Sequence, residues 1–228
     1  MHTRRPHLRT VAMLTAVAAL ARPLPCAAQL FAEAFLGTAA SASTRLSVHQ
    51  RGAAAIRLSA DYATRPFEGS PYYAWRVGFW SGGTGWAIGL VHHKLYLMNG
   101  PPEIERFEIS HGFNLLAVTH GWRWGSTYAR AGVGPVLVHP ETVIRGQSTD
   151  PDGGPLGGGY YFTGPSVQAV LGRHVRIFPM LELAIEAMLS GSRARIPVAD
   201  GHATVPNLAL HVHLGLKLGG TGQHPSQR

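Results

Sequence analysis

The sequence predicts an all-β protein, an eight-stranded antiparallel up-and-down transmembrane β-barrel, on three observations. The stretch NLALHVHLGLKL (207–218) alternates without a break, with Leu208, Leu210, Val212, Leu214, Leu216 and Leu218 on one face and Asn207, Ala209, His211, His213, Gly215 and Lys217 on the other. A soluble sandwich strand turns its polar face to water, whereas a membrane barrel turns its apolar face to lipid and fills its lumen with the polar one. The connections between such segments alternate between short and long, as an up-and-down barrel requires. Finally, Trp80 and Trp86 flank one short turn and Trp122 and Trp124 another, while Tyr72, Tyr73, Tyr96, Tyr160 and Tyr161 gather at the opposite ends. Two aromatic girdles suit a membrane barrel.

The chain opens with a basic head (Arg4, Arg5, Arg9), an apolar run over 11–20 and the small-residue exit Cys26, Ala27, Ala28. That is the pattern of a secretory signal peptide cleaved after Ala28, and its apolar run is too short to span a bilayer. Acylation at Cys26 is the weaker alternative, because Pro23 and Pro25 precede it where small or aliphatic residues are expected. Of the 228 residues, 200 remain after residue 28, and none is cysteine, so no disulfide framework holds the exported chain. The formal charge of +8 falls to about +4 once Arg4, Arg5, Arg9 and Arg22 are removed. With no basic run, Gly-rich phosphate loop or zinc-finger spacing, no nucleic-acid partner is expected.

Residues 29–218 are expected to form the barrel and 219–228 a polar tail. Strands are expected at 30–42, 72–82, 85–98, 106–120, 126–139, 159–172, 177–190 and 205–218. Short periplasmic turns fall near 81–85, 121–125 and 173–176, and long extracellular loops near 43–71, 99–105, 140–158 and 191–204. Residues 45–60 read as a ninth strand, but an even number is needed, so they become a β-rich extension of the first outer loop. The last strand ends in Leu218 rather than the aromatic residue that commonly helps the barrel-assembly machinery during biogenesis.

A barrel of eight strands is filled by its own side chains. Assigning faces puts Arg76, Glu108, Ser110, Asn114, Arg130, Gln168, Glu182, Glu186, His211, His213 and Lys217 inside. Of these, Arg76, Arg130, Glu182, Glu186, His211 and His213 should form a polar lumen network, an ionic core that leaves no room for porin-like diffusion.

FEISHGFNLL (107–116) carries Phe107, Ile109, Phe113 and Leu115 on one face, with His111 among them. If that face meets lipid, pairing with LVHHKLYL (90–97) at positions summing to about 203 sets His111 opposite His92, with Lys94 and Tyr96 beside it. The next strand brings His139, and two residues on Glu141, into the same outward patch near the extracellular end. Three imidazoles and a carboxylate suit zinc, copper or non-haem iron. His92, His111 and His139 are thus candidate metal ligands for a divalent transition metal, His92, His111 and Glu141 candidate catalytic groups, and Lys94 a candidate lipid-phosphate contact. The plain alternative is a set of interfacial histidines meeting lipid headgroups.

At RPFEGSPYYAWRVGFW (65–80), LVHHKLYL (90–97), FEISHGFNLL (107–116), GVGPVLVHPE (132–141) and GYYFTGPSVQ (159–168) the chain resembles a family of bacterial outer-membrane barrels that includes the lipid A oxidase. The resemblance implies a barrel in the Gram-negative cell envelope that oxidises lipid A, with His92, Lys94, the Ser110-His111-Gly112 run, Asn114, His139 and Glu141 at the recurring positions. Where the family tends to carry a carboxylate ahead of the His-x-Lys motif, this chain has Gly89. The expected partner is outer-membrane lipid, lipid A above all. A lipid A 3-O-deacylase is the third reading after a non-enzymatic barrel, since Ser110 precedes His111 and reaches its side only if the strand bulges.

Overall fold

The structure is a computed structural model that describes residues 28–149, 153–155 and 157–219. Apart from Ala28 and Gly219, the expected signal peptide and polar tail lie outside the described residues. Thirteen strands form, namely β1 (Gln29–Ser41), β2 (Thr44–Gln50), β3 (Ile56–Ala60), β4 (Tyr62–Ala63), β5 (Tyr73–Ser81), β6 (Thr84–Leu97), β7 (Ile104–Trp124), β8 (Thr127–Val138), β9 (Glu141–Ile144), β10 (Gln147–Ser148), β11 (Tyr161–Phe178), β12 (Leu181–Val198) and β13 (Gly201–Gly219). Eight of them close a ring in the order β1, β5, β6, β7, β8, β11, β12, β13, because β1 pairs with both β5 and β13. All neighbours are antiparallel.

The stagger follows from the register. A path along hydrogen-bonded partners from Phe31 through Gly78, Ala87, Thr119, Gly132, Gln168, Ser190 and Ala209 returns to β1 at Ser41, ten residues further on. Eight strands with that shear tilt by about 40° and enclose a backbone radius of about 8 Å, a space that side chains fill.

Two connections differ from the sequence expectation. β11 runs through the turn expected at 173–176 and ends at Phe178, because His174 faces the lumen and bonds Glu33 Oε1 at 3.2 Å while Val175 continues the lipid face. The loop expected at 191–204 is instead two strands joined by a turn at Ala199 and Asp200. Gly191, Arg193 and Arg195 read as loop, but Ala194, Ile196 and Val198 on the opposite face of the same strand are buried. Residues 45–60 do form the β-rich extension, as β2 and β3.

The wall has two zones. Towards the short turns the outward positions are apolar, including Val77, Ile88, Val118, Val133, Val167, Leu171, Ile185 and the leucine-rich row of β13. Inside this belt, Arg76 bonds Glu33 at 2.6 Å and forks onto Glu186 at 2.9 and 3.1 Å. Tyr128 donates to Glu186 at 2.7 Å and lies over Gly172, where a Cβ would come within 2.4 Å of the tyrosine ring. His213 Nδ1 meets Glu186 at 2.8 Å, and Tyr72 Oη bridges His213 Nε2 and His211 Nδ1 at 2.6 and 2.8 Å. Lys217 pairs with Glu182, and Arg130 lies 3.5 Å from Glu33, its guanidinium stacked over Trp80. In the low-dielectric interior each charge is tolerated because an opposite charge faces it.

Towards the long loops the polarity reverses, with Leu46, Val48, Ile109, Phe113, Leu115, Val136, Val138, Ile144, Ile196 and Val205 buried inside. This corrects the faces assigned to β7. Its pairs with β6 sum to 206 over the belt, as in Trp86↔His120, and not to an odd number, so Phe107, Ile109, Phe113 and Leu115 point inward. Glu108, Ser110 and Asn114 therefore leave the lumen. The girdles are thinner than expected, since Trp80 and Tyr72 are buried inside, while Trp86, Trp122 and Trp124 stay on the outer wall.

Candidate functional site

Above the belt, β7 bulges. His93 pairs with Phe113 and Leu95 with Ile109, so Ser110, His111 and Gly112 stand opposite Lys94 alone. Gly112 makes the bulge possible, with φ at +123° and Asn114 Nδ2 only 2.3 Å from where a Cβ would sit. The extra residues push His111 out of the wall, leaving its side chain 56% exposed.

Strand β9 supplies the partner. It pairs with β7 so that Glu141 lies opposite Glu108. His111 Nδ1 hydrogen-bonds Glu141 Oε1, and Ser110 Oγ donates to the same oxygen at 2.8 Å while lying 3.3 Å from His111 Nδ1. Arg106 donates to Glu141 Oε2 at 2.6 Å and to Glu108 at 3.0 Å, which makes two facing carboxylates tolerable. Burial alone would raise the Glu141 pKa, but the hydrogen bonds from Ser110 and His111 and the Arg106 charge hold it below the ordinary carboxylate range. No described residue bonds His111 Nε2. Behind it, His139 lies 5.1 Å ring to ring, with its own pKa depressed by burial and then by His111. Tyr160 packs on His139 and donates to the His111 carbonyl at 3.4 Å.

Ser110, His111, Glu141 and Arg106 border an open cleft of about 230 Å³, whose other walls include Arg65, Ser70 and Tyr96. A carboxylate-oriented imidazole with a free Nε2 can carry protons, and the adjacent hydroxyl is a nucleophile of the type such a pair activates.

Not every predicted site residue joins. His92 points outward but pairs with Asn114 rather than His111, bonding its Oδ1 at 2.8 Å and stacking under Tyr73 at 4.8 Å. Lys94 also sits on the outer wall, but the segment 64–72 covers it and its Nζ donates to the Glu68 carbonyl, so it has no open face for a phosphate. Among the described residues no group of three or more His, Cys, Asp or Glu side chains could hold a metal ion. The bulge separates His92 from the His111 and His139 pair, so the three-imidazole site expected for a transition metal does not form. Arg65, Ser70 and Arg106 were missed, although the alternation Arg106, Glu108, Ser110 just ahead of His111 is a legible polar face.

The closed ring, its apolar outer belt and its ionic lumen define a membrane-spanning β-barrel of eight strands. No protein family and no curated protein matches the chain. Among solved structures, it is similar to Neisserial surface protein A (9% identity over 84% of this chain and 96% of that one, TM-score 0.41). It is also similar to the outer membrane protein AlkL in lipid bilayers (11% identity, 90% and 98%, TM-score 0.44) and to OmpT of Vibrio cholerae (11% identity, 83% and 52%, TM-score 0.28).

Proposed function

We propose that the protein is an outer-membrane barrel that modifies lipid A at the extracellular rim, with Ser110, His111 and Glu141 as its acid–base site. The observation that carries this is the bulge in β7, which sets Ser110 Oγ and His111 Nδ1 on one carboxylate oxygen of Glu141 and leaves His111 Nε2 without a partner among the described residues. The site lies just above the apolar belt, at the level where lipid headgroups meet the wall. The matching stretches of sequence supply the lipid A reading.

The geometry favours hydrolysis of an acyl ester over oxidation, because a serine joins the His111–Glu141 pair whereas a third imidazole does not. Ser110 Oγ would attack the ester carbonyl as its proton passes to that pair, which returns a proton to the departing sugar hydroxyl. Water then releases the acyl chain from Ser110. Mass spectrometry of lipid A from cells with and without the protein tests this. Loss of one acyl chain, abolished by Ser110→Ala and by His111→Ala in barrels that remain heat-modifiable, is the expected result. Gain of one oxygen instead restores the oxidase reading, and identical spectra leave a non-enzymatic barrel.

A further inference from the structure

On the far side of the ring from His111, the extension formed by β12, β13, β2 and β3 presents a second outer face. Its inward residues, among them Ala194, Ile196, Val205, Leu46 and Val48, are buried. Its outward rows carry four exposed arginines, Arg45, Arg57, Arg193 and Arg195. The register aligns Arg195, Thr204, Ser47 and Arg57 across the four strands, and Arg45 stands opposite Ser59. No described carboxylate pairs with any of the four. Arg195 bonds the neutral acceptor His202 Nδ1 at 3.2 Å, and His202 stacks on His49. The acids at the ends of these strands are engaged elsewhere, Asp61 by Ser43 and Asn99 and Asp200 by Gln147.

We propose that this face binds the phosphate groups of an anionic lipid headgroup in the leaflet on the long-loop side. Arg195 and Arg57 stand about 14 Å apart across three strand spacings, with the Thr204 and Ser47 hydroxyls between them, and Arg193 and Arg45 flank that row on β12 and β2. That spread suits a headgroup bearing more than one phosphate. The height commits the patch to lipid. Arg193 is paired with Pro206, two residues beyond the outward Leu208, which puts it about 5 Å above the last leucine once strand tilt is counted. That is the depth of the headgroup layer, so the lipid's chains would lie on the Leu189, Leu208 and Leu210 wall while its phosphates meet the guanidinium groups, which take phosphate bidentately.

The test uses the full chain folded in zwitterionic micelles and titrated with a diphosphorylated glycolipid, its dephosphorylated form and inorganic pyrophosphate. The phosphorylated lipid should bind with strong salt dependence. R45Q/R57Q and R193Q/R195Q should each lose roughly thirtyfold in affinity with a shallower salt slope. Heat-modifiable migration checks that each variant is folded. Wild-type binding by both double variants, equal binding of the dephosphorylated lipid, or equally tight binding of pyrophosphate would each overturn the proposal.

Discussion

The lower and upper halves of this barrel obey opposite rules. In the belt the outside is leucine, isoleucine and valine and the inside is arginine, glutamate and histidine. Above it the inside is an ordinary apolar core and the outside carries Arg45, Arg57, Arg106, Glu108, Arg193 and Arg195. A single strand crosses the change. On β13, Leu210 faces out within the belt, whereas Val205 faces in just above it, where the outer wall turns polar. Solvent, not sequence period, decides which side an apolar residue takes.

Substitutions can break that contrast, the largest first. Arg76→Met should strand Glu33 and Glu186 without their shared cation and destabilise the barrel by about 3–5 kcal/mol, read as a lowered urea midpoint in vesicles. Val212→Arg in the middle of the belt should cost about 2–4 kcal/mol in the same assay. Ile196→Val in the upper core should cost about 1 kcal/mol, the ordinary soluble-protein value. Thr204→Arg has the same outward parity as Val212 but sits above the belt, and its effect should stay within about 0.5 kcal/mol. If Thr204→Arg proved as costly as Val212→Arg, the division into zones would be wrong.

The smallest effect concerns the rim. The folded pKa of Glu141 is depressed, so its contribution is full above the ordinary glutamate value and is lost as pH falls through the folded one. The protection of the β9 amides from hydrogen exchange, relative to their intrinsic rates, should fall below about pH 4.5, and Glu141→Gln should remove that pH dependence.

The leucine-rich row of β13 and the alternating strands were legible in the sequence, because lipid demands an unbroken apolar face and period two is local. The same period gave the lumen positions of Arg76, Arg130, Glu186, His211 and His213. It failed on β7, where FEISHGFNLL alternates as a lipid-facing strand does but folds its phenylalanines into the upper core. It failed again at Gly172 and Gly191, where glycine and flanking charges looked like chain turns inside continuous strands. The sequence by itself thus determined the barrel, whereas it set His111 outward by the wrong face, since the bulge at Gly112 and not the strand period turns that side chain out of the wall. The tertiary structure alone decided who stands beside that histidine, because a two-residue bulge at Gly112 shifts the register with β6 and the return of the chain through β9 brings in Glu141. Neither the stagger between distant strands nor the height of the membrane on the wall is written in any local stretch of residues.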